Sequence, residues 1–265
     1  MKKFAAGIIA LAVLITGAWL VIIPEGRINE MIEAHAGFAD GEIYIRAEGV
    51  RKGLFYNISA ERIFIKRKTA SGDKTLVLLK DLRAALSLAS LIRLAPAAEF
   101  TSAMGGGVVT GVIHLTGGRG VSLNGRGISL KGLPALTAAG LNGEGELSFD
   151  ISFGNNEGDI RFSVERAHLA FTSGAGVFLP FDVFKTIRGS ALIMGNGEKA
   201  VVRSLSLEGP GIYARLKGSI ARGKPDMQLE LMTERSFKDA AVLMLLEQYK
   251  VSPGYYAVPV KTAFF

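Results

Sequence analysis

The chain has no cysteine among its 265 residues. This absence excludes disulfide bridges, thiolate zinc sites and thiol nucleophiles. Proline is also scarce, at 8 residues, whereas glycine reaches 33. Abundant glycine among valine, isoleucine, leucine and phenylalanine, with little proline, is typical of short strands joined by tight turns. The composition therefore favours a mainly β chain.

Acidic residues are outnumbered by basic ones, 24 against 31, which gives a net charge of +7. A basic balance suits nucleic acid or an anionic membrane surface. Most cations are spread along predicted strands, and one denser cluster contains Arg62, Lys66, Arg67 and Lys68. We interpret this cluster as a solvated strand edge or a contact with lipid headgroups. We expect no nucleic acid as a partner.

Catalytic motifs are missing as well. The sequence contains no G-x-S-x-G, H-E-x-x-H or G-x-G-x-x-G pattern. His35, His114 and His168 are too far apart to form a local metal-binding pair. Residues 218–224 match the start of a phosphate loop, but Pro225 replaces the hydroxyl that would hold magnesium, so we predict a hairpin turn. We expect no catalytic residues, no cofactor and no metal.

The sequence does contain one long apolar run near its start. Residues 4–23 carry no charge and follow Lys2 and Lys3. A helix of roughly 20 residues, at about 1.5 Å per residue, spans the hydrocarbon core of a bilayer. The residues expected to anchor it are Phe4, Leu11, Leu14, Trp19, Leu20 and Ile23. We therefore predict a membrane helix with its two lysines in the cytoplasm.

A cleaved signal peptide is the alternative interpretation of this run. The apolar region of a signal peptide is shorter, about 7 to 15 residues. The nearby small-x-small site, at residues 34–36, lies well beyond the end of the run. An uncleaved anchor is favoured, and it places the rest of the chain in the periplasm of a bacterial envelope.

The pattern divides the chain into three parts. Residues 1–26 form the cytoplasmic tip and transmembrane helix, 27–40 a short stalk, and 41–265 a β-rich domain. Apolar residues recur at helical spacing in the stalk. From Gly41 onward the apolar period changes to two, the period of half-buried strands.

Strand–turn–strand units that open on glycine recur along the β-rich domain. They predict an extended, curved antiparallel sheet of stacked hairpins, with a few short helices, among them helices at 134–139, 180–187 and 236–249. One face of this sheet is predicted to be apolar. Candidate residues for that face are Ile43, Ile45, Leu147, Phe149 and Ile151. They either pack against helices as an ordinary core or line a groove for lipid.

Several segments resemble those of a known family. They are LRAAL at 82–86 with SLI at 90–92, GGV at 106–108 with GVI at 111–113, GEGEL at 143–147, RGSAL at 188–192, LSLEG at 205–209 and LKGSI at 216–220. With the basic start and single span, they resemble the general secretion pathway protein N family (GspN) of type II secretion systems. More distantly, they resemble envelope proteins with AsmA-type repeats. The resemblance covers nearly the whole chain and rests on glycine and apolar spacing.

The resemblance implies an inner-membrane protein with one span and a periplasmic β-domain. It implies an accessory component of the secretion machine that acts by protein–protein assembly, with other secretion-system envelope proteins as partners. It implies no catalytic residues. The AsmA-like likeness implies an alternative, a lipid-binding or lipid-transfer protein whose apolar β-groove holds acyl chains.

Overall fold

The structure is a computed structural model of the whole chain. It describes residues 24–34, 43–69, 72–87, 90, 94–116, 120–138, 141–154, 157–171, 183–194, 199–221 and 224–260. The predicted anchor residues Phe4, Leu11, Leu14, Trp19, Leu20 and Ile23 lie outside the described residues. Among the residues that the structure describes, no helix combines the length and apolar character needed to cross a membrane.

Fifteen strands form one curved, open antiparallel sheet. The first eight are β1 (Ile43–Glu48), β2 (Arg51–Lys52), β3 (Ile58–Thr69), β4 (Gly72–Leu86), β5 (Ala97–Met104), β6 (Gly107–His114), β7 (Val121–Ser129) and β8 (Leu141–Gly154). The others are β9 (Glu157–Phe171), β10 (Thr186–Met194), β11 (Lys199–Gly209), β12 (Ile212–Ala221), β13 (Lys224–Thr233), β14 (Lys250–Ser252) and β15 (Tyr255–Val260).

The strands follow one another through the sheet in chain order, with two exceptions. β2 pairs beside β3, and β14 lies outside β15 at the far edge. Each hairpin brings its two strands together over many residues; β8 and β9, for example, pair from Leu141 with Phe171 to Gly154 with Glu157. The predicted sheet of stacked antiparallel hairpins is therefore confirmed.

In the part of the chain that the structure describes, three short α-helices accompany the sheet: α1 (Glu25–Ala34), α2 (Pro134–Ala138) and α3 (Ala240–Leu246). α3 begins later than predicted because the carboxylate of Asp239 accepts a hydrogen bond from the Val242 N–H at 3.2 Å and caps the helix there. A 3-10 helix over Glu247–Tyr249 follows it directly and reaches the predicted end. The helix predicted over 180–187 is wrong at its C-terminal end. Thr186 already begins β10, because it must pair with Glu208 of β11.

A bulge interrupts β4 next to β5. Asp81 has a φ of 51°, and the register shifts between Lys80 and Arg83. The extra residue makes both of these cations face the same side of the sheet. The Ser102 hydroxyl, on a side chain only 2% exposed, donates to the Lys80 carbonyl at 2.8 Å and satisfies it.

The core gathers at one end of the sheet. There the apolar side chains of the later strands meet Phe184, α3 and the segment around α2. α2 contacts both β4 and β8, which are not neighbours in the sheet, so the sheet curves around it. We call this end the helix end. The opposite end, where β8 turns into β9, is the hairpin end.

Candidate functional site: the apolar face

One face of the sheet is apolar from strand to strand, and we call it the apolar face. On β8 it carries Leu147, Phe149 and Ile151, which alternate with polar residues as predicted. Their partners on β9 are Val164, Phe162 and Ile160, so the apolar character continues across the pair. Because side chains on paired residues share a face, the pattern propagates through the sheet.

No charged residue lies on this face in β5–β13. Traced from pair to pair, its members are small or apolar, with Ser102 and Thr233 as the only hydroxyls. Ile43 and Ile45 belong to the same face, on edge strand β1. The structure thus places all five predicted residues of the apolar face on one side, although five strands separate β1 from β8.

Four phenylalanine rings on this face each cover a glycine on the paired strand. The pairs are Phe100 with Gly111, Phe149 with Gly125, Phe153 with Gly158, and Phe162 with Gly189. In each pair, a Cβ on the glycine would collide with the ring. Rings lying flat on glycine shield the exposed backbone and give a low, smooth, apolar strip.

Cover over the apolar face is uneven along the strands. Near the helix end Val164, Leu207 and Leu231 are buried beneath Phe184 and α3. Towards the hairpin end of β6–β8 the face is half-buried, and Phe153 and Ile113 are each 38% exposed, whereas Val260, at the same end of β15, is buried. Among the described residues, therefore, the apolar face is closed at the helix end and accessible at the hairpin end of β6–β8.

The opposite face, here the charged face, carries the ion pairs. Arg126 lies 3.2 Å from Asp150, and Arg203 lies 3.1 Å from Asp159, each pair bridging different strands. Such exposed pairs contribute little to stability, about 0–1 kcal/mol each. Their effect is to keep this side of the sheet compatible with water.

A cavity of about 580 Å³ lies on the charged face over β5–β9. Two of its three carboxylates are engaged, since Asp150 accepts hydrogen bonds from Asn124 and Arg126, and Asp159 is paired with Arg161 and Arg203; the third is Glu99. No group of three potential metal ligands occurs in the described part of the chain. The cavity is therefore lined mainly by ion pairs between strands rather than by a paired acid and base.

The other sequence motifs can be placed on the sheet. Residues 218–221 end β12 and Lys224 begins β13, so the phosphate-loop match is a hairpin, as predicted. His114 is exposed, and His168 lies 3.3 Å from the Lys185 ammonium. In the basic cluster on β3, Arg62 pairs with Glu48, while Lys66 and Lys68 lie over the rings of Phe64 and Tyr44.

Sequence reasoning missed two features of the site. Phe184 is fully buried and closes the helix end, yet the sequence places it only within the helix predicted over 180–187 and not in the core. The bulge at Asp81, which turns Arg83 to the charged face, has only a break in the apolar pattern of β4 as its signal in the sequence.

Comparison of the chain with family models, with curated proteins and with solved structures finds no match.

Proposed function

We propose that this chain is an inner-membrane-anchored periplasmic protein that serves a type II secretion system as an accessory component. It acts by assembly with other envelope proteins rather than by catalysis. The observation that carries the proposal is the uncharged apolar face, which is accessible at the hairpin end of β6–β8. An apolar surface of this extent needs a partner to cover it.

The different chemistry of the two faces of the sheet supports this proposal. The charged face stays in water, and the apolar face offers side chains that a partner protein covers on assembly. Phe153 and Ile113, each 38% exposed, are the residues on which such a partner first packs. The predicted N-terminal helix holds the sheet at the inner membrane, where other components of the secretion machine assemble.

A photo-crosslinking residue at Phe153 tests the assembly proposal in the native envelope. The matched control is the same residue at Ser152, its exposed neighbour on the charged face. We expect position 153 to form an adduct with a secretion-system protein and position 152 to form none. Equal adducts at both positions, together with normal secretion in a deletion strain, would contradict the proposal.

Lipid handling is the second candidate function. The observation that favours it is the strip of phenylalanine rings lying over glycines, because a smooth, uncharged surface matches the shape and chemistry of acyl chains. Crosslinking at Phe153 would then add the mass of a lipid instead of that of a protein. Mass spectrometry of lipids retained by the purified full chain decides the matter, and a chain that retains none counts against this function.

A further inference from the structure

The start of α1 lies beside the hairpin end of β2 and β3. The Glu25 carboxylate accepts a hydrogen bond from the backbone N–H of Lys52 at 3.2 Å. α1 also contacts β1. Glu25 follows directly on Ile23 and Pro24, where the predicted membrane helix ends. With the anchor proposed above, this corner of the sheet lies at the membrane surface.

A cavity of about 620 Å³ opens at the same corner, on the charged face. Arg51 and Lys52 of β2 line it together with Arg83 of β4, and Glu99 is the one carboxylate among its lining residues. The hydroxyls of Ser59 and Thr101 add neutral hydrogen-bonding groups. Cations with hydroxyls around a small cavity are the chemistry that recognises a phosphate group.

The two arginines of this cavity differ in their partners. Arg51 is held by Glu61 at 3.0 Å, which orients its guanidinium. Arg83 forms no ion pair with any residue that the structure describes, although the bulge at Asp81 turns it to the charged face. Arg83 thus has its guanidinium fork available for an anion that approaches from outside.

We propose that this cavity, the corner cavity, binds the phosphate of an anionic phospholipid headgroup in the membrane to which the chain is anchored. Arg83 makes the principal contact, with Arg51 and Lys52 adding positive charge. The bound headgroup fixes the hairpin end of the sheet against the membrane. This inference depends on the anchor alone and not on the secretion partners.

The test uses the full chain purified in a mixture of phosphatidylglycerol, which is anionic, and phosphatidylcholine, which is neutral. Mass spectrometry then measures the amount of each lipid retained per chain. We expect the wild type to enrich phosphatidylglycerol, and Arg83→Gln to lower that enrichment about tenfold, because the charge-assisted hydrogen bonds to the phosphate are lost. Arg83→Lys keeps the charge and should retain part of the enrichment.

Arg215→Gln is the matched control, because Arg215 is exposed on the charged face of β12, far from the corner cavity in strand order. Unchanged enrichment in Arg83→Gln would overturn the inference. Loss of the enrichment on adding millimolar inorganic phosphate, with phosphate bound in its place, would overturn the assignment to lipid. Failure of the anchor is detected separately, by release of the full chain from membranes in alkaline carbonate, and failure of the secretion proposal by the crosslinks at Phe153.

Discussion

The ring of Phe162 lies across the backbone of Gly189 on the neighbouring strand. A Cβ on Gly189 would overlap three atoms of this ring, and even Cδ1, the farthest of the three, would be 3.0 Å away. The two residues are direct partners in the β9–β10 ladder. A phenylalanine ring covers a glycine in the same way in three other strand pairs of the apolar face, so this contact is a repeated feature of the sheet.

Substituting Gly189 with valine should therefore destabilise the fold. The added side chain lifts the Phe162 ring from the sheet, and overpacking of this kind costs about 1–3 kcal/mol. Urea unfolding of the full chain in detergent measures the loss. Ser190→Val, one residue away on the charged face, is the control and should change the free energy of unfolding by less than about 0.5 kcal/mol.

A double-mutant cycle isolates the contact between the two residues. Phe162→Ala removes the ring, so adding Gly189→Val to it should cost less than Gly189→Val costs alone, with a coupling of about 0.5–3 kcal/mol. Strictly additive free energies of unfolding would show that the ring does not rest on the glycine.

Phe184→Ala should be the more severe change. Phe184 is 0% exposed and joins the core that closes the helix end. Truncation of a buried phenylalanine to alanine costs about 3–5 kcal/mol. Val108→Ala serves as control, because Val108 is 51% exposed on the charged face and should lose little. Equal unfolding midpoints for the two variants would contradict the described core.

Ser102→Ala tests the bulge in β4. The hydroxyl of Ser102 is the side-chain donor that satisfies the Lys80 carbonyl at the bulge, at 2.8 Å. Its loss should lower the free energy of unfolding by about 0.5–1.5 kcal/mol, the net contribution of a typical intramolecular hydrogen bond. The exposed Ser122 provides the comparison, and Ser122→Ala should have almost no effect.

Tyr44 gives a prediction in pH. The hydrogen bond that its phenol donates to the Asp73 carboxylate, with burial and the negative charge adding to the effect, raises the pKa of Tyr44. Because the pKa of Tyr44 is raised in the folded protein, the contact with Asp73 stabilises the fold fully at pH values below the ordinary tyrosine pKa, near 10. This stabilisation is lost as the pH rises through the pKa that Tyr44 has in the folded protein.

Ultraviolet absorbance of the ionised phenol follows this titration, with Tyr44→Phe identifying the signal. Asp73→Asn removes the charge and should move the midpoint of Tyr44 down towards the ordinary value. A midpoint that is the same with and without the Asp73 carboxylate would rule out the hydrogen bond.

The local alternation of apolar and polar residues predicts most of the fold. Leu147, Phe149 and Ile151 alternate with polar residues, and a strand places alternate side chains on one face whatever surrounds it. The hairpins followed from glycine-rich turns between such strands. The helix predicted over 180–187 is wrong at its C-terminal end because the residues there meet strand partners about twenty positions away, such as Thr186 with Glu208. Tertiary pairing overrides local preference in such segments.

The candidate site divides in the same way. That one face of the sheet is apolar could be predicted from Ile43, Ile45 and the β8 residues, because the period of two is a local property. That Arg83 turns towards the corner cavity could not, since it depends on the bulge at Asp81 and on the register with β5.

Two features of this protein can be predicted from its sequence alone: a β-rich chain that follows an apolar N-terminal run, and a sheet with one apolar face. Both arise from periods and runs that act over a few neighbouring positions. Only the tertiary structure decided that the apolar face is closed at the helix end and accessible at the hairpin end of β6–β8. The closure brings Leu130, Phe184 and Leu246 together from distant parts of the chain, and burial of this kind depends on where the connections cross the sheet.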